Sequence, residues 1–234
     1  LFKRINKVIV NSVQFKKEIY ETFNVKAQCI YNPLNSREII NLSKKKLNFP
    51  FFNTNKLKII NIGRLVEQKD HITFLKALNI LKKKIEFRAL IIGNGENKKY
   101  LLDFIKKNQL KKNVKIINFR PNPFVFLKKA DLLVHTAIFE GLPNVLLEAI
   151  LLNKYVISTN CPTGPSEILN NGKGGDLVEI RNFLDLSNKI ENYFLKKKSF
   201  NKKKIFAMKN LERFDYNENS KKYLITVNKL LNKN

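Results

Sequence analysis

Apolar residues arrive in short runs separated by segments with helical spacing. Leu57 to Ile62, Phe87 to Ile92, Val114 to Ile117, Asp131 to His135 and Tyr155 to Ser158 are brief and aliphatic, as parallel strands covered on both faces are. Between them, Asp70 to about Lys84 carries Ile72, Leu75, Leu78 and Leu81 on one face, and Asn97 to Asn108, Phe124 to Lys129 and Asn144 to Leu152 read as further helices. This alternation predicts an α/β fold, a Rossmann-like parallel sheet with helices on both faces. A smaller piece precedes it: a strand over Lys7 to Val10, a helix from a Ser12 cap to about Phe23, and a strand over Gln28 to Tyr31 closed by Asn32-Pro33. The polar stretch Lys44 to Lys56 reads as a linker. Asn182 to Lys197 and Asn201 to Leu231 read as lysine-rich amphipathic helices, packed on the sheet or on a partner domain. The pattern divides the chain into residues 1–52, 53–200 and 201–234.

Composition changes this picture in two places. The formal net charge is +26, which attracts polyanions, but 38 of the 45 basic residues are Lys and 32 residues are Asn. Lys, Asn and Ile are favoured by AT-rich codons, so part of the excess is coding bias. Readers of base sequence favour Arg forks, and no nucleic-acid motif occurs; an anionic membrane surface remains a partner for clustered Lys. Cys29 and Cys161 lack metal-ligand spacing and read as free thiols in a reducing compartment, and His71 and His135 cannot complete a zinc site with them. No apolar run is long enough to span a bilayer and no signal sequence is expected. The chain begins at Leu1 rather than Met, which suggests a piece of a longer protein.

Ligands of an open parallel sheet bind at the carboxyl ends of its strands, and four features lie there. Gly63-Arg64 followed by Lys69 permits close backbone approach and brings two cations toward a diphosphate, or is a glycine turn with solvated charges. Gly93-Asn94-Gly95 reads as a tight turn at the rim of a site, since it lacks the third glycine of the dinucleotide fingerprint. Glu140 to Glu148 spans a helix start, where free N–H groups favour anions; the two carboxylates can accept hydrogen bonds from hydroxyls, or are one helix-start Glu and one surface Glu. Cys161 to Glu167 reads as a loop and helix start that could wall a pocket.

Taken in order, Asn61-Ile-Gly63-Arg64-Leu-Val-Glu-Gln-Lys69, Ala130-Asp131-Leu-Leu-Val, Phe139-Glu140-Gly-Leu-Pro-Asn-Val-Leu-Leu-Glu148-Ala and Asn160-Cys-Pro-Thr-Gly164-Pro-Ser-Glu167 resemble glycosyltransferase family 4, whose GT-B architecture sets two Rossmann-like domains face to face. Val10-Asn-Ser12 through Ile30-Tyr-Asn32-Pro33 is similar to the end of that family's N-terminal domain. The resemblance covers about residues 6 to 200. It implies that residues 1–52 are a remnant of the acceptor domain plus linker, 53–200 the nucleotide-sugar domain, and 201–234 C-terminal helices.

The resemblance also implies roles. Arg64 and Lys69 would bind the donor diphosphate and offset leaving-group charge, with Gly63 beside them. Glu140 would bind donor-sugar hydroxyls, the backbone amides over Gly141, Leu142, Pro143 and Asn144 the sugar or distal phosphate, Glu148 the ribose diol, and Asn118, Phe119 and Arg120 would lie near the base. No metal or other cofactor is expected. The enzyme would be retaining, with front-face attack and no protein nucleophile, taking a hexose or N-acetylhexosamine from a UDP-sugar. The acceptor would be a glycan or lipid-linked glycan of surface polysaccharide or glycoconjugate synthesis, met through the missing N-terminal domain, and the location cytoplasmic, at the inner face of the membrane. Without that domain the chain would be inactive alone. A non-catalytic nucleotide-sugar module and a charge-driven polyanion binder are the alternatives; epimerase and phosphorylase readings fit the Glu140 context less well. Three positions depart from the family pattern: Ala137 for a usual Ser, Asn153 for a usual Gly, and Asp176 for an apolar residue.

Overall fold

A computed structural model describes residues 5–232; residues 1–4 and 233–234 of the two terminal segments lie outside the described residues. Two parallel sheets are present. Strands β1 (Val8–Val10) and β2 (Ala27–Cys29) form a pair, joined by helix α1 (Val13–Phe23). The larger sheet holds β3 (Leu57–Ile62), β4 (Phe87–Ile92), β5 (Val114–Ile117), β6 (Leu132–His135), β7 (Tyr155–Thr159) and β8 (Asp176–Val178), in the order β5-β4-β3-β6-β7-β8. Every pairing is parallel. The order reverses between β3 and β6, the doubly wound arrangement whose switch point opens a crevice above the strand ends.

Alternation within the strands feeds two cores. Leu57, Ile59, Ala89 and Ile91 pack under α3 (His71–Leu81), α4 (Lys98–Lys107) and α8 (Phe183–Leu195). Ile60, Leu90 and Ile92 face the other way, toward α2 (Ser36–Ser43), α5 (Phe124–Lys129), α6 (Asn144–Leu151) and α9 (Asn201–Lys209). Burial on both faces is why these strands are mostly aliphatic.

Several expectations need correction. The linker reading of Lys44 to Lys56 took its Asn and Lys at face value, yet the stretch is anchored. Phe49 meets Phe126 edge-on with ring centroids 5.1 Å apart, and Phe52 is buried in a short 3-10 turn. Helix α2, just before it, passes unread because it buries only Ile39 and Ser43, although Asn35 caps it by accepting from Glu38 N at 3.2 Å. The long helix expected over Asn201 to Leu231 is broken: α9 ends at Lys209, a 3-10 segment covers Asn210–Phe214, and Asp215 caps α10 (Tyr216–Leu231) and bridges to Leu34. Helix α10 then returns to the small sheet, where Gln28 Nε2 donates to Thr226 Oγ1 at 3.2 Å. Strand β8 is unread because it is three residues long and opens on a charge.

The departures at Asn153 and Asp176 have local explanations. Asn153 has φ +59°, the left-handed conformation that Gly would supply and Asn tolerates. Asp176 pairs with Lys203 of α9 at 2.6 Å, so its charge is met. Ala137 is buried, and its carbonyl accepts from Thr159 Oγ1.

Close approach of the loops after β3 and β4 needs a glycine. A Cβ on Gly93 would lie 1.9 Å from the Gly63 carbonyl oxygen. Gly93→Ala is therefore predicted to lose about 2 kcal/mol or more of stability, read as a lower denaturation midpoint; an unchanged midpoint would show that the two loops part freely.

Candidate functional site

The loops leaving β3 and β6 meet at the switch point and are stitched together. Ile138 N donates to the Gln68 carbonyl at 2.9 Å, Gln68 Nε2 donates to the Phe139 carbonyl at 2.9 Å, and Thr136 Oγ1 donates to the Lys69 carbonyl at 3.0 Å. The stitching closes on an ion pair between Lys69 Nζ and Glu140 Oε1. Two residues expected to serve one ligand are thus in direct contact.

Glu140 has a second partner that sequence reasoning missed. His135, buried at the end of β6, places Nε2 2.9 Å from the same Oε1. A carboxylate can only accept, so Nε2 carries the hydrogen. The other ring nitrogen lies 3.1 Å from Ser158 Oγ on β7, which fixes the ring's orientation. The available signal was one polar residue at the end of an apolar strand, five positions before Glu140. Burial works to raise the Glu140 pKa, but the hydrogen bonds and charges of His135 and Lys69 outweigh it and hold the carboxyl below its usual value. Glu140 is therefore an ionised acceptor rather than a proton donor. The second histidine, His71, is buried and held neutral by desolvation, its pKa pushed down to about 3.

Beyond Glu140 the chain enters α6. The backbone N–H groups of Gly141, Leu142, Asn144 and Val145 find no acceptor among the described residues, which leaves a row of donors at a helix start. The Leu142 side chain is buried in the core and Pro143 is the cap residue. Asn144 is exposed and accepts from Asn32 Nδ2 at 2.9 Å.

On the other side of Arg64, a cavity of about 500 Å³ is lined by Gly63, Arg64, Gly93, Asn94, Phe119 and Arg120, among others. Arg64 and Arg120 are exposed, and Phe119 presents its ring to solvent at 64% exposure. An exposed ring flanked by guanidinium groups suits a flat, polar, anionic ligand. Asn118 does not line this cavity; its Oδ1 accepts from Lys98 Nζ, at the start of α4, at 2.5 Å. The Gly93 turn does line it, as a rim.

Glu148, one turn into α6, is half-buried, and no partner for its carboxylate occurs among the described residues. Glu140 and Glu148 thus differ in environment as well as position, and do not form a pair.

Comparison with known proteins decides the family. The profile described as "Glycosyl transferases group 1" matches residues 43–217. The chain belongs to that family. An uncharacterised glycosyltransferase of Methanocaldococcus jannaschii is 35% identical over 174 residues, 72% of this chain and 43% of that protein. A Campylobacter jejuni N-acetylgalactosaminyltransferase, named for a diphospho-undecaprenol-linked substrate, is 27% identical over 96% of this chain and 61% of its own length. The chain therefore spans about half the length of these relatives. Among solved structures, Anabaena HepE in complex with UDP and glucose gives a TM-score of 0.82 at 20% identity, covering 95% of this chain and 63% of that one. A Staphylococcus aureus TarM variant solved with fondaparinux, alpha-GlcNAc-glycerol and UDP gives 0.80 at 23%, covering 94% and 43%. At these identities the likeness concerns the fold, which is that of the GT-B glycosyltransferases.

Glu148 gives this member of the group 1 family a pH signature. Burial raises its carboxyl from 4.5 to about 7. The folded state then holds a proton that the unfolded chain releases, so this contribution to stability is full below the unfolded pKa and is lost as pH rises through about 7. Glu148→Gln, which cannot ionise, is expected to melt close to the wild type at about pH 5 and to gain on the order of 2 kcal/mol over it at about pH 8. A difference independent of pH would show that Glu148 is solvated.

Proposed function

We propose that this chain is the donor-binding part of a retaining glycosyltransferase of family 4 that transfers a hexose or N-acetylhexosamine from a UDP-sugar to a glycan or lipid-linked acceptor. One observation carries the reading: an ionised, part-buried Glu140 held by Lys69 and His135, between the free amides of α6 and the Arg64 cavity. An acceptor-only carboxylate suits sugar hydroxyls, which donate. Cations and helix-start amides suit a diphosphate. An exposed Phe119 beside Arg120 suits a base. Relatives named as N-acetylgalactosaminyltransferases and neighbours solved with UDP support the same substrate class.

In this reading Arg64 and Lys69 neutralise charge that develops on the departing diphosphate. The bond between the anomeric carbon and the β-phosphate oxygen breaks, and the acceptor hydroxyl oxygen bonds to that carbon on the same face. The hydroxyl proton passes to the departing phosphate oxygen. Glu140 orients the sugar and takes no proton; Glu148 meets the ribose diol. Acceptor recognition belongs, in this reading, to the part of the relatives' length that this chain does not span, so the chain alone binds donor without transferring sugar. No helix among the described residues is long and apolar enough to cross a membrane. A peripheral position on the cytoplasmic face, with lysines meeting anionic lipid, fits the charge.

The test is a thermal-shift and calorimetric comparison of UDP-, GDP- and ADP-sugars. A donor at a hundred times its dissociation constant is expected to add about 2.7 kcal/mol of stability, with UDP-sugars giving the largest shift. Stabilisation by none of them would overturn the donor-site reading, and transfer of sugar by the isolated chain would overturn its dependence on the rest of the protein.

A further inference from the structure

Glu167, on the short helix α7 (Pro165–Ile168), spends its carboxylate on a distant part of the chain. Oε1 accepts from Val13 N at 3.0 Å and Oε2 from Gln14 N at 3.1 Å, two of the first-turn amides of α1. Ser12 caps a third, Phe15 N, at 3.0 Å. Tyr31 OH donates to Oε1 at 2.6 Å, and the Arg213 guanidinium holds the Glu167 carbonyl at 3.2 Å. A carboxylate across a helix N-terminus is among the stronger polar contacts available, since charge, dipole and orphan donors all favour it.

The clamp continues toward the site. Gln14 Nε2 donates to Ser166 Oγ at 2.6 Å, and Gln14 Oε1 accepts from Gly164 N at 2.9 Å. A Cβ on Gly164 would lie 2.5 Å from the Gly141 carbonyl oxygen, so that loop presses directly on the α6 entry. Thr163 N donates to the Glu140 carbonyl at 2.8 Å, and Glu140 N donates back to the Pro162 carbonyl at 2.7 Å. Thr163 Oγ1 reaches the Glu140 and Gly141 carbonyls. From α1 to Glu140 the bonds are contiguous, and Asn11, beside α1, lies against Gly141.

We infer that Glu167 is a positioning residue for the donor-sugar end of the site: by seating the α1 N-terminus it fixes the 162–164 loop, and through it the backbone of Glu140 and Gly141. The inference rests on the reading of Glu140 as the donor-sugar ligand. It separates the two ends of the site. The Arg64 and Phe119 cavity does not depend on the clamp, whereas the Glu140–Gly141 backbone does.

The test uses this chain with Glu167→Gln, Gln14→Ala and Glu140→Gln, with UDP and UDP-N-acetylglucosamine as probes. Gln14 is exposed, so its variant keeps the fold if Glu167→Gln does not. Affinity for UDP is expected to stay within about twofold in both clamp variants, while the extra affinity conferred by the sugar falls about tenfold, the scale of one charge-assisted hydrogen bond. Hydrogen exchange at the Glu140 and Thr163 amides should quicken in parallel. Equal losses for UDP and UDP-sugar would mean a merely structural role and overturn the proposal, as would an intact sugar gain with unchanged exchange. A wild-type sugar gain that survives Glu140→Gln would instead overturn the reading of Glu140, leaving the exchange measurement to judge the clamp.

Discussion

A carboxylate taken out of water has to be paired, and in this chain that requirement falls on Glu140. Its partners come from different strand ends: Lys69 from the loop after β3 and His135 from the end of β6, with Ser158 of β7 behind the imidazole. Only a sheet whose order reverses between β3 and β6 brings these loops side by side. The backbone bonds from Gln68 to Ile138 and Phe139 keep them there. The contact between Lys69 and Glu140 thus ties the topology to the chemistry.

Much of this was legible in the sequence, for a physical reason. Strands buried on both faces must be short aliphatic runs, so the larger sheet announced itself through β7, and the strand ends marked where to look for a ligand. Of the charged residues at those ends, Lys69 and Glu140 meet in an ion pair, while Arg64 lines the cavity over the ends of β3 and β4. Periodicity is silent about β8, which opens on a charge, about α2, which buries only Ile39 and Ser43, and about the break over Asn210–Asp215. It is silent too about partners brought together by tertiary structure. His135 stands out as a polar residue closing an apolar strand, but spacing alone does not name Glu140 as its partner, and the bonds from Glu167 to α1 join residues more than 150 positions apart.

The positive charge is easier to understand once the helices are placed. Lys106 and Lys107 close α4, Lys128 and Lys129 close α5, and Lys82 to Lys84 follow α3. Crossover helices run against their strands, so these termini gather at the amino edge of the sheet, away from the switch-point loops, where lysine also complements the helix dipole. Near the Glu140 site the charges are few and mostly paired, with the Arg64 side left open. These lysines therefore lie at the edge opposite the site and need not serve it.

A crystal structure of the chain with UDP decides whether the stitched loops and the adjoining cavity form one nucleotide-sugar site. The expected complex has the uracil against Phe119 and Arg120, the diphosphate within hydrogen-bond reach of Arg64 and Lys69, and the ribose toward Glu148. UDP bound away from the Gly63–Lys69 loop, with the Lys69–Glu140 contact unaltered and Arg64 still held on Gln68, would contradict a single site.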